Sequence, residues 1–195
     1  MPSRFTTWES YFYPPPHSFT LRNLFGERDH RVLQELEQAV VSERYLEAVQ
    51  GEVRFDPTFD AGHVDAIHRH LFGDVYEWAG QHRTVPLVKN PPRGFADVAQ
   101  IDRYLADVHR LVVTTEWKTL DRSEFVDRAA TAFAYLNQAH PFREGNGRTS
   151  KLFMTHLAGR SRFAFDFNQV TAEIWNDGGH GILPGDGQIA ARWRT

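Results

Sequence analysis

Nine consecutive residues, His140-Pro141-Phe142-Arg143-Glu144-Gly145-Asn146-Gly147-Arg148, stand between two stretches of helical apolar spacing. Upstream, Phe125, Ala129, Ala132, Phe133 and Leu136 form one stripe. Downstream, a helix beginning near Gly147 carries Leu152, Phe153, Thr155 and His156. The chain must bury two helices while leaving a dense polar turn at the junction between them. That is the layout of a site for a phosphorylated ligand.

Each residue type in the turn has a use. Gly145 and Gly147 let the backbone take positive φ and approach a ligand closely. Successive amides in such a turn form an anion-binding nest, and the helix starting there adds its positive end. Arg148 offers a planar fork to phosphate oxygens, and Lys151 lies three residues on along the same helix face. Arg143 and Thr149 complete the candidate phosphate-binding set. Glu144 would repel phosphates unless a divalent cation lies between them, and Mg²⁺ is commonly held by one or two carboxylates plus substrate phosphates. Asn146 can donate to a phosphate oxygen or fix the loop. His140, with an ordinary pKa near neutrality, can serve as a general base for an attacking hydroxyl.

The rest of the chain reads as mostly helical. Helices are expected over 27–49, 61–72 and 97–113, with Val32, Leu33, Leu36, Val40 and Tyr45 sharing the buried face of the first. The helix leading into His140 starts at an Asp121/Glu124 capping box, and a short sixth helix is expected over 171–176. Residues 1–26, with Pro14-Pro15-Pro16, read as an extended aromatic strap, 27–177 as the domain, and 178–195 as a glycine-rich tail. Strand signal is confined to Arg83–Lys89, followed by Asn90-Pro91-Pro92-Arg93-Gly94 and Phe95, which reads as a small hairpin or flap. His63, His68 and His70 lack the spacing of a helical zinc site and read as structural, and Trp78 and Trp117 as core. There is no phosphate-binding Gly-x-x-x-x-Gly-Lys-Ser/Thr run and no Gly-x-Ser-x-Gly elbow.

Composition narrows the partners. With 22 basic and 25 acidic residues the net charge is −3, so no basic surplus points to nucleic acid or a membrane surface. The absence of cysteine excludes disulfides and thiolate metal sites. No apolar run approaches signal-peptide or membrane-helix length, and the expectation is a soluble cytoplasmic protein.

The nonapeptide resembles the signature of Fic-domain proteins, His-x-Phe-x-Asp/Glu-Gly-Asn-Gly-Arg-x-x-Arg, complete here through Arg148. The segment Ile67–Gly80 and the stretch around Lys89 to Phe95 resemble the family too, and the likeness covers roughly residues 25–176. The resemblance implies an all-α Fic fold, a helical bundle with a small β-hairpin flap. It implies transfer of AMP from ATP to a Ser, Thr or Tyr hydroxyl of a target protein, with His140 as base and Glu144 holding Mg²⁺. Gly145, Asn146, Gly147 and Arg148 would bind the phosphates, and the flap, including Lys89, Asn90 and Phe95, would dock the target by strand addition.

Lys151 stands where the family has a second arginine, keeping the charge and losing the fork. The inhibitory pattern Ser/Thr-x-x-x-Glu-Gly/Asn is absent from the sequence. By resemblance, the chain is of the class restrained by a separate small antitoxin that supplies the inhibitory helix, as the toxin of a toxin–antitoxin system, or is not restrained at all. Alternatives within the fold are transfer of UMP, phosphocholine or phosphate. A weakly active nucleotide-binding module is the alternative from another class.

Overall fold

The computed structural model describes residues 4–87 and 94–167. Among them are five α-helices, α1 (His30–Gln50), α2 (Ala61–Phe72), α3 (Ile101–Thr114), α4 (Arg122–Ala139) and α5 (Asn146–Ala158), with 3₁₀ turns at Glu9–Tyr11 and Val98–Gln100. The all-α reading stands. The hairpin's central residues, the expected sixth helix and the tail lie outside the described residues. Residues 83–87 and 94–96 form no strand, and the one bridge among the described residues pairs Phe12 with Leu21.

Helix starts follow local capping. Asp29 accepts from the amides of Arg31 (2.8 Å) and Val32 (3.2 Å), so α1 begins at His30 rather than Glu27. Asp60 caps α2 through the amide of His63 at 3.0 Å. Asp121 and Glu124 exchange both bonds of the capping box, each at 2.9 Å, and launch α4. The third helix enters through the Val98–Gln100 3₁₀ turn, so its α-helical part begins at Ile101.

α3 and α5 both pack against α4, and α2 packs against α5 and α1. The core between them holds Ile67, Leu71, Phe72, Phe133, Phe142 and Phe153, all fully buried. Trp78 and Trp117 are buried as expected. The expected inner face of α1 is corrected: Val32 and Leu36 are exposed, and the inward line is Leu33, Val41 and Ala48. At the helical spacing between Leu33 and Val41 sits a carboxylate, Glu37. Phe5 and Tyr11, in the residues that precede α1, pack on the body; their rings stack at 4.9 Å and Tyr11 meets Trp78 edge-on at 5.9 Å. No described helix is long and apolar enough to cross a membrane.

Candidate active site

The polar turn is built by stopping one helix and starting another. The His140 amide donates to Leu136 O at 3.2 Å, after which His140 takes a left-handed conformation (φ 40°). Pro141 explains the stop, because a residue preceding proline is disfavoured in the right-handed helix. Phe142 then turns inward, fully buried, and its ring stacks on His68 at 3.7 Å.

Asn146 takes the loop-fixing role. Its Oδ1 accepts from the Phe142 amide at 2.9 Å and its Nδ2 donates to Phe142 O at 2.8 Å. Gly145 adopts φ 81°, and a Cβ there would lie 2.4 Å from the Phe72 ring, so only glycine fits. Gly147 departs from the expected positive φ: it is an exposed residue in the first turn of α5. No side chain caps α5, and its first helical bond runs from the Thr149 amide to Gly145 O. The amides of Asn146, Gly147 and Arg148 are thus the orphan donors of a helix N-terminus, the arrangement that attracts anions.

His68 brackets the turn from behind. Its Nδ1 accepts from the Gly80 amide at 2.8 Å, which makes Nε2 the protonated nitrogen, and Nε2 donates to Glu144 O at 3.0 Å. Burial pushes its pKa down to about 3, so the ring is a neutral brace. His63 pairs with His156 at 2.9 Å, and His70 meets Arg44 O at 2.9 Å. These are packing roles, in line with the structural reading.

Glu144 and Arg148 converge on one cavity. Glu144 Oε1 accepts from the Gly145 amide at 3.0 Å and lies 3.6 Å from the Arg148 guanidinium. Both line a cavity of about 310 Å³, together with His30, Gln34, Glu37 and Tyr76. Glu37, absent from the sequence-derived set, is the closer partner of Arg148: Oε1 lies 2.6 Å from Nη2, and the other oxygen accepts from the Tyr76 hydroxyl. Burial and the neighbouring Glu37 charge push the Tyr76 hydroxyl pKa up, so it stays a donor. Arg148 also lies over the Phe72 ring at 4.7 Å. Thr149 is buried beneath the turn, with an Oγ1 that has no hydrogen-bond partner, and half-buried Lys151 follows one turn along α5.

Arg143 is placed differently from the phosphate-binding role expected of it. Its guanidinium carbon lies over the Trp8 ring at 3.9 Å, with Phe12 at 5.1 Å and Tyr11 at 5.9 Å. The aromatic strap claims this cation, and burial lowers its pKa. Of the flap residues, Lys89 and Asn90 lie outside the described residues. Phe95 is described, and its ring stacks on the His140 imidazole at 3.5 Å with planes 15° apart. A single carboxylate facing an open helix N-terminus fits a metal that arrives with a polyphosphate, since the described residues offer no cluster of three or more metal-ligating side chains.

The Fic/DOC family model matches residues 58–158, more than half of the chain and inclusive of the whole turn. The chain belongs to the Fic/DOC family. A protein adenylyltransferase of Bartonella schoenbuchensis, VbhT, is 38% identical over 81% of this chain, which spans 33% of that relative's length. The probable protein adenylyltransferase y4lH of Sinorhizobium fredii is 33% identical, with 85% of this chain and 83% of the relative covered. Among solved structures, BepC of Bartonella tribocorum with bound AMPPNP superposes with a TM-score of 0.77 at 27% identity, covering 88% of this chain and 87% of that one. Within the Fic/DOC frame, Glu37 and the Arg143–strap contact are features of this chain that its signature alone does not display.

Proposed function

We propose that this chain is a protein adenylyltransferase, moving AMP from ATP to a hydroxyl side chain of a target protein. The observation that carries the reading is the convergence of Glu144 and Arg148 on one cavity beside the uncapped N-terminus of α5, with His140 at the other end of the same turn. The names of the two adenylyltransferase relatives and the AMPPNP in BepC support the same donor and reaction.

In this reading the phosphates lie against the amides of Asn146, Gly147 and Arg148, whose positive helix end offsets their charge. Arg148, oriented by Glu37, clamps an oxygen. The unpartnered Thr149 hydroxyl is an available donor beneath them. His140 takes the proton from the target hydroxyl, whose oxygen bonds to the α-phosphorus while the bond to the β-phosphate oxygen breaks and pyrophosphate leaves. Glu144 would hold Mg²⁺, which when bound neutralises phosphate charge. ATP as donor suits a cytoplasmic location. The missing inhibitory pattern favours restraint by a separate antitoxin, with this chain as the toxin.

The test is label transfer from α-³²P-ATP with Mg²⁺ into a bacterial lysate, for wild type and His140→Ala. A labelled protein band that disappears in the variant is expected. A band from γ-labelled ATP or from labelled UTP, with none from the α-label, would replace AMP transfer by one of the related chemistries.

A further inference from the structure

Arg83 is only 1% exposed, yet it carries a permanent charge. Burial lowers its pKa, against the opposing pull of the Asp97 charge, and a guanidinium is in effect always protonated in proteins. Among the described residues it makes no ion pair, and its hydrogen bonds all go to main-chain oxygens. Nε donates to His140 O at 2.9 Å, Nη1 to Val85 O at 2.9 Å, and Nη2 to Ala96 O and, at 3.5 Å, to Ala139 O. Its own amide donates to Pro141 O at 2.7 Å. A second tie runs alongside, from the Ala96 amide to Gln138 O at 2.9 Å.

Three separate stretches therefore meet on one guanidinium. One is the last turn of α4 with His140. The other two are Val85 and Ala96, on either side of residues 88–93. The ring of Phe95, adjacent to Ala96, lies on the His140 imidazole. Burying an unpaired charge is costly, and tying a loop to a helix does not require one. What the planar fork supplies is fixed directions to several carbonyls at once, at a helix end whose exposed carbonyls favour a cation.

We infer that Arg83 is a positioning residue for the transfer step: it holds the His140 turn and the chain on both sides of residues 88–93 as one rigid unit, which sets the imidazole against the incoming hydroxyl. The inference rests on the adenylyltransferase reading. The phosphate-facing groups, namely the α5 amides, Glu144 and Arg148, make no bond to Arg83, so nucleotide binding is independent of it.

The experiment uses the full chain with Arg83→Lys, which keeps the charge and loses the fork. ATP affinity by calorimetry should stay within about threefold of wild type, while label transfer at saturating ATP falls at least about tenfold; these two figures rest on the loss of orientation rather than of binding. The His140 ring proton resonances, displaced in the wild type by the Phe95 ring, should move toward ordinary positions. Unchanged transfer, or binding and transfer lost in equal proportion, would overturn the inference. If Arg83→Lys does not fold, wild-type amide exchange decides. The amides of Arg83 and Ala96 should exchange at rates close to that of His140, and flank amides opening a hundredfold faster would overturn it. Failure of the wild type to transfer AMP would count against the proposed function alone, because the ring resonances and amide exchange still read Arg83.

Discussion

At the scale of single residues, the turn tolerates little. Gly145 combines a left-handed backbone with a Phe72 ring 2.4 Å from where a Cβ would sit. Gly145→Ala should cost about 2–4 kcal/mol of stability, from strain and overpacking together, measured by urea unfolding. A cost below 0.5 kcal/mol, by the same order-of-magnitude reasoning, would show that the turn repacks freely. Lys151 presents a point charge one turn from Arg148. Lys151→Arg restores a fork and should raise label transfer roughly fivefold, equivalent to ~1 kcal/mol of added charge-assisted bonding. An unchanged or lower rate would mean that this position does not contact the phosphates. His140 to Arg148 are contiguous, so their chemistry is legible as a string. Arg83 and His140 are far apart in the chain, and Arg83 sits in a stretch that reads as a strand. Glu37 had one signal, a carboxylate at helical spacing between Leu33 and Val41. That signal was masked by Val32 and Leu36, which suggested a different inner face.

At the scale of elements, the helices were legible from their apolar spacing, and the start of α4 from the Asp121/Glu124 box, which can be read without tertiary context. The described flanks of the expected hairpin were harder to read, because the amides of Arg83 and Ala96 donate to Pro141 O and Gln138 O at the end of α4 and just past it. Two histidines clamp α2 to other parts of the fold with opposite pH dependence. His63, on α2, meets His156 of α5, and burial followed by the neighbouring His156 lowers its pKa to about 4. The unfolded chain then binds more protons between about 6.5 and 4, so this contribution is present above 6.5 and is lost as pH falls through that window. His82 bonds Asp65 of α2 at 2.9 Å and lies 3.3 Å from Asp102 of α3. Burial alone would lower its pKa, but the two carboxylates outweigh it and raise the value. Its contribution is full below about 6.5 and is lost as pH rises through the raised value. Urea midpoints should therefore peak near neutrality, and His82→Gln should flatten the alkaline limb. An alkaline limb that is the same in the variant would remove His82 as its cause.

At the scale of the whole molecule, the strap and the polar turn are one assembly. Arg143 lies under Trp8, so the N-terminal aromatics reach the loop that carries Glu144 and Arg148. Trp8→Ala should lower stability by about 1–2 kcal/mol, combining a cation–π contact with lost packing, as read from chemical denaturation. A shift under a few tenths of a kcal/mol would mean that the strap is only laid on the surface. The same contact has a consequence for synthesis. Trp8 leaves the ribosome roughly 135 residues before Arg143, and at ~5–20 residues per second that interval is about 7–27 seconds. During that time Trp8, Tyr11 and Phe12 have no guanidinium to cover, and the nascent chain carries an uncovered aromatic cluster that a chaperone can hold until the turn has been translated.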